Sequence, residues 1–172
     1  FVRPWEGAWG STGQVCYTKI SGPDVGNGPA EITTGSKFGW SMANVGDING
    51  DGADDLIVGA PGEFSNYSET DVNGTEYWFT RKTGAVYILF MEGTTGEVQS
   101  STRISGLVGG MGELFDNEDF GYSVASIGDL DGDGIPDVAV GAPGTLVSAV
   151  YILYLNWDGT ARDYVMIRGY YT

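Results

Sequence analysis

Nine residues, written twice, constrain this chain more than anything else in it. Asp47-Ile48-Asn49-Gly50-Asp51-Gly52-Ala53-Asp54-Asp55 returns 82 residues later as Asp129-Leu130-Asp131-Gly132-Asp133-Gly134-Ile135-Pro136-Asp137. Each copy sets side-chain oxygens at positions one, three, five and nine and a Gly at position six. Hard cations such as Ca²⁺ take six to eight oxygen ligands at roughly 2.3–2.6 Å, and a loop that alternates carboxylates and then turns at Gly can wrap one. A single Asp- and Gly-rich loop also reads as a solvated turn, because both residues favour turns. Two copies at one place in a repeat favour the ion.

The flanking residues carry the same repeat. Residues 38–45 read as a strand before the first loop, residues 56–58 as a second and residues 85–90 as a third. A Gly93/Gly96 turn then leads to a fourth strand over residues 99–104. The second pass gives residues 120–127, 138–140, 149–154 and 163–167 in the same order. Phe38 to Phe120, Asp47 to Asp129 and Gly59 to Gly141 are each 82 apart, but Val86 to Val150 only 64. The first copy therefore carries 18 extra residues, read as a polar loop at 63–82. The period without them, near 64, suits one four-stranded unit. Thr18-Lys19-Ile20-Ser21-Gly22 resembles the ends of the fourth strands, Thr102-Arg103-Ile104-Ser105-Gly106 and Val165-Met166-Ile167-Arg168-Gly169.

These offsets divide the chain into an extended arm at 1–14 bearing Phe1, Trp5 and Trp9, an orphan strand at 15–22, a first unit at 38–106 and a second at 120–169. Val86, Ile88 and Phe90 share one strand face and Tyr87 and Leu89 the other; residues 150–154 are also apolar on both sides. Such strands are covered on both sides. Small Ser41, Ala43, Ser123 and Ala125 let neighbouring sheets approach closely. The expectation is an all-β protein of four-stranded antiparallel sheets stacked face to face, as in propeller blades, but too few to close a ring.

The charge fits this reading and excludes others. The net charge of −15, from 23 acidic and 8 basic residues, argues against nucleic acid and against anionic membrane surfaces. Seven Asp sit at the loops' ligand positions, three and four. The 29 Gly have no three-residue period and fit tight turns. With no His, His-based catalysis and His metal sites are absent. The one Cys, Cys16, has no internal partner; it is a small buried residue or an intermolecular bridge. No apolar run approaches the ~20 residues of a membrane-spanning helix. The first residue is Phe1, which suggests a processed form or a fragment.

Phe38-Gly39, the loop at 47–55 and Gly59-Ala60-Pro61, then Phe120-Gly121, the loop at 129–137 and Gly141-Ala142-Pro143, resemble the FG-GAP repeat of integrin α-subunit β-propellers. The resemblance covers residues 15–169 and implies four-stranded blades with Ca²⁺ in the loop between a blade's first two strands. It implies two sites: Asp47, Asn49, Asp51 and Asp55 with the Ala53 carbonyl, and Asp129, Asp131, Asp133 and Asp137 with the Ile135 carbonyl. Such propellers close with about seven blades, whereas this chain supplies two and a strand. Two stacked sheets would leave two outer apolar faces uncovered.

An EF-hand begins similarly but requires Glu at position twelve and flanking helices; Val58 and Val140 stand there. Extracellular calcium modules work at ~10⁻⁴–10⁻³ M, so the loops read as structural staples. Asn49 at Asp131's position predicts a weaker first site. The insertion holds two sequons, Asn66-Tyr67-Ser68 and Asn73-Gly74-Thr75, read as glycosylation sites in a secreted protein or as an ordinary hydrophilic loop. Its Tyr67, Tyr77, Trp78 and Phe79 can instead meet a sugar or a neighbouring subunit. No catalytic constellation appears, so the chain is not read as an enzyme.

Two functions follow. The first is an extracellular, calcium-stabilised structural module whose copies join head to tail, the orphan strand completing a neighbour's sheet, into a filament or surface appendage. The second is a fragment of an integrin-like adhesion or glycan-binding propeller, with extracellular protein or glycan as partner. A non-catalytic part of a secreted hydrolase rests on analogy alone.

Overall fold

The computed structural model describes residues 18–21, 28–145 and 148–169. Among them are ten strands and no helix: β1 (Ser41–Gly46), β2 (Asp55–Ala60), β3 (Phe64–Thr70), β4 (Glu76–Lys82), β5 (Ala85–Met91), β6 (Val98–Ser105), β7 (Ser123–Gly128), β8 (Asp137–Ala142), β9 (Ala149–Leu155) and β10 (Ala161–Arg168). No helix is long and apolar enough to cross a membrane. The strands form two four-stranded antiparallel meanders, β1-β2-β5-β6 and β7-β8-β9-β10, and a separate hairpin, β3-β4. Their registers repeat: Ser41 faces Gly59 as Ser123 faces Gly141, and Val58 faces Tyr87 as Val140 faces Tyr151.

The Phe-Gly and Gly-Ala-Pro motifs explain how closely the sheets stack. Phe38 and Phe120 precede the first strand of each sheet and lie edge-on against Tyr87 and Tyr151, with ring centroids 5.5 and 5.3 Å apart. Gly39 and Gly121 take φ of 87° and 88°, a left-handed turn that Gly enters without Cβ strain. The Ser41 hydroxyl donates to the Gly121 carbonyl at 2.9 Å, and any Cβ on Gly59 would run into that carbonyl.

One apolar core lies between the sheets. Val45, Ile48, Ile57, Val86, Ile88, Phe90 and Ile104 of the first unit pack against Phe120, Val138, Val140, Tyr151, Leu153 and Leu155 of the second. The reverse face of the first sheet buries Val58, Ala85, Tyr87 and Leu89 under Ile20, Ile32 and Phe38. β5 is therefore covered on both sides, as its two apolar faces predict. β9 is not. Val150 is 41% exposed where its counterpart Val86 is 0%, Leu130 57% where Ile48 is 4%, and Ile167 57% where Ile104 is 0%. One outer apolar face is open among the described residues rather than the two expected, because Ile20, Ile32 and Phe38 pack over the other.

Two further expectations change. The 63–82 segment is not a polar loop but a hairpin. Ser65 and Tyr67 turn inward, and the Tyr67 hydroxyl accepts from Leu114 N–H and donates to Leu114 C=O. The Arg81 guanidinium lies 4.6 Å from the Tyr67 ring and 4.9 Å from Phe79. The hairpin thus packs on the segment joining the two sheets. The strands expected to begin at Phe38 and Phe120 begin at Ser41 and Ser123, since Phe-Gly makes a turn.

The arm at 1–14 and residues 15–17 and 22 of the orphan strand lie outside the described residues. Residues 18–21 belong to no strand. Thr18 nonetheless donates its hydroxyl to the Thr95 carbonyl, as Thr102 of β6 does to the Asp158 carbonyl in the next unit. Residues 18–20 thus meet the β5–β6 turn as β6 meets the β9–β10 turn.

Candidate metal centres

The two Asp-rich loops join β1 to β2 and β7 to β8. Their first residues organise them identically. Asp47 Oδ1 accepts from Gly50 and Asp51 N–H and Oδ2 from Gly52 N–H, at 2.7, 3.0 and 2.9 Å. Asp129 receives Gly132, Asp133 and Gly134 at 2.7, 3.0 and 2.8 Å. Position three accepts from the N–H of position five in both, Asn49 from Asp51 and Asp131 from Asp133. The position-five carboxylates accept from Ala53 and Ile135 N–H at 2.9 Å. Gly50, Gly52, Gly132 and Gly134 all have positive φ, which tightens the loop.

Position nine does something the motif alone does not reveal. Asp55 and Asp137 are fully buried. Each carboxylate bridges its own loop and the third strand of its sheet. Asp55 takes N–H from Ile48 and Met91, both at 3.0 Å; Asp137 takes Leu130 at 2.8 Å and Leu155 at 3.2 Å. Burial pushes the Asp55 carboxyl above the usual Asp range; the two N–H donors oppose this, and nearby Asp51 and Asp47 add to it. A neighbouring cation would relieve both the burial and the crowding.

In the second loop Asp129, Asp131 and Asp137 each offer an oxygen within 4.8 Å of the others. Three converging carboxylates on a Gly-tightened loop are a hard-cation donor set, and they fit calcium in kind. In the first loop Asn49 replaces one, so the corresponding trio is two carboxylates and an amide.

Arg162 of β10, which the sequence reading passed over, reaches the second loop. Its guanidinium donates Nη1 to Asp133 Oδ2 at 2.8 Å and Nη2 to Asp131 Oδ2. The first loop's nearest equivalent is internal: Asn49 Nδ2 donates to Asp51 Oδ2 at 2.9 Å. The sequons lie on the hairpin. Asn66 is exposed on β3 opposite Thr80, and Asn73 is exposed in the turn, its N–H donated to Asp71.

The FG-GAP repeat model matches residues 38–89 and 120–153. Among curated proteins, the chain is 36% identical to integrin alpha-3 of Cricetulus griseus over 133 residues, 75% of this chain and 10% of that protein. It is 39% identical to integrin alpha-7 of Homo sapiens over 121 residues, 70% and 8% respectively. It is 41% identical to integrin alpha ina-1 of Caenorhabditis elegans over 126 residues, 69% and 10%. The matches span about a tenth of these relatives' length.

Proposed function

The chain belongs to the FG-GAP repeat family, and on that premise we propose that it is a blade pair from an integrin-like adhesion propeller, working outside the cell or at its surface. Its partners on this reading are extracellular proteins or glycans, and it has no catalytic role. The observation that carries the reading is the way the two units stack. The first unit's Ser41–Gly59 face receives Phe120-Gly121 of the second, and the open face of the second sheet presents the same register in Ser123 and Gly141. Val150, Leu130 and Ile167 on that face are exposed, whereas their counterparts Val86, Ile48 and Ile104 are buried between the two units. We propose that a further blade of the same kind covers it, and that residues 18–20 stand where a preceding blade's last strand would stand.

The relatives favour this reading over head-to-tail filament assembly. Nothing in the comparisons supports self-association, and the arm that it requires lies outside the described residues.

Calcium is the proposed ligand of both loops: Asp47, Asn49, Asp51, Asp55 and the Ala53 carbonyl in one, Asp129, Asp131, Asp133, Asp137 and the Ile135 carbonyl in the other. The ion supplies charge compensation to carboxylates that the fold holds together. Asn66 and Asn73 are proposed glycan acceptors, since the hairpin holds both in the open. Secretion from a eukaryotic host followed by glycosidase treatment should reduce the mass by two glycans; an unchanged mass removes that part. The adhesion reading is tested by extending the chain with a third blade from an integrin α relative. The extension should protect Trp40 no further but quench solvent access at Tyr122, Val150 and Ile167, read by hydrogen exchange on β7, β9 and β10. Unchanged exchange there would oppose it.

A further inference from the structure

We propose that Arg162 is a built-in competitor for the second loop's cation, and that it cancels the affinity advantage which the extra Asp would otherwise give that loop. The proposal rests on the calcium reading above.

The geometry is specific. β10 carries a bulge: Ala161 pairs with Leu155 and Asp163 with Tyr154, leaving Arg162 as the extra residue. A bulge re-aims the side chain it carries. This one points the guanidinium at Asp131 and Asp133, positions three and five of the loop. The first unit has the same bulge. Met91 pairs with Val98 and Phe90 with Ser100, leaving Gln99 as the extra residue. The two bulges are equivalent, and one holds a cation where the other holds a neutral amide. Among the described residues, no Lys or Arg pairs with the first loop's carboxylates.

Counting only ligand side chains, the second loop has four Asp and the first has three. Arg162 reduces the second set to a net charge of −3, the same as the first. It also occupies one oxygen of each of two carboxylates, Asp133 Oδ2 and Asp131 Oδ2, with a charge-assisted hydrogen bond apiece. A Ca²⁺ ion must draw Asp131 and Asp133 away from that guanidinium or share them with it. The order predicted from Asp count, second loop tighter than first, is thereby levelled. Gln99, being neutral, levies no such competition on the first loop.

The test exchanges the two bulge residues in the full 172-residue chain and titrates with calcium by calorimetry. Arg162→Gln should tighten the second loop about three- to tenfold, the range expected for losing a partly exposed ion-pair competitor at two carboxylates. Gln99→Arg should weaken the first loop by a similar factor. Asp47→Ala and Asp129→Ala backgrounds assign each transition to its loop. A second measurement does not require those backgrounds. The thermal midpoint of Arg162→Gln should fall slightly below the parent's in chelator, where the ion pair is lost, and converge with it in saturating calcium, where the ion has already displaced the guanidinium. That convergence distinguishes competition from a merely structural ion pair, whose loss lowers both midpoints alike. Calcium binding to the second loop with unchanged or weaker affinity in Arg162→Gln overturns the proposal and leaves the calcium reading standing. An absence of calcium binding at that loop in every variant overturns both.

Discussion

At the scale of single residues, position nine of each loop is the joint between ligand set and fold. Asp137 is buried and accepts N–H from the loop and from β9. Asp137→Ala should therefore lose about 2–4 kcal/mol, the cost of unpairing two N–H groups from a charged acceptor, and lose it in chelator as well as in calcium. Asp131→Asn, exposed and bonded chiefly to Arg162, should lose only that surface ion pair in chelator, under about 1 kcal/mol, and show its larger loss when calcium is present. Urea unfolding with and without chelator separates the two; equal losses under both conditions for both variants would show that the two positions are not distinct. Asp131 and Asp137 look alike in the motif. The difference is legible only in three dimensions, because the β9 partner of Asp137 lies 18 residues away.

Glu92 gives a pH-dependent case. It caps the β5–β6 turn, its carboxylate bonded by the Thr94 hydroxyl, by Thr95 N–H and by Thr94 N–H, and these hold its pKa at about 2 against an ordinary 4.5. The folded value lies below the unfolded one. The stability it adds is therefore complete above pH 4.5 and is lost as the pH falls towards 2. Glu92→Gln should be less stable than the parent at neutral pH and should converge with it near the acid end. A gap of constant size across the range would contradict the assignment.

At the scale of elements, β5 and the β3–β4 hairpin show where the sequence was readable. β5 alternates Val86, Ile88 and Phe90 with Tyr87 and Leu89, and each set enters a different apolar cluster. Ile88→Ala should cost about 2–5 kcal/mol, whereas Ile167→Ala on the open face of β10 should cost far less. Chemical denaturation that gave equal losses would mean that the outer face is covered. The hairpin was misread because its polar residues, Asn66, Ser68, Glu69 and Thr70, hid a period-two pattern. Asn73-Gly74 between Tyr67 and Tyr77-Trp78-Phe79 was the available signal, since Asn-Gly between β-formers marks a hairpin. Tyr67→Phe removes two hydrogen bonds to Leu114 and should cost about 1–2 kcal/mol; no change in stability would show that the hairpin does not depend on that contact.

Each sheet also buries a carboxylate against the tyrosine at the same register, and the two sheets draw it from different places. Tyr87 donates its hydroxyl to Glu63, which follows Gly-Ala-Pro-Gly in the first unit, and Tyr151 donates to Glu118, which precedes Phe-Gly in the second. The equivalent position to Glu118 in the first unit is Ser36, also buried, and that to Glu63 in the second is Thr145. Burial, then the neighbouring Glu, raises both phenols above their usual range. One packing requirement is thus met from two sequence positions, which a repeat alignment alone does not reveal.

At the scale of the whole molecule, the repeat, the blade architecture and both loop positions were legible because they depend on local spacing. The closing of one outer face by Ile20, Ile32 and Phe38 and the Arg162 bulge were not, because each depends on where distant strands settle. The central claim is that the two loops bind calcium and so stiffen the stacked sheets. The most direct measurement is the thermal midpoint of the full chain in about 1 mM calcium, within the range in which extracellular modules bind, against the same chain in chelator. The account predicts a higher midpoint in calcium, rising with calcium concentration as linkage requires, and a calorimetric stoichiometry of two ions per chain. A midpoint indifferent to calcium, with no ion bound at that concentration, would contradict it.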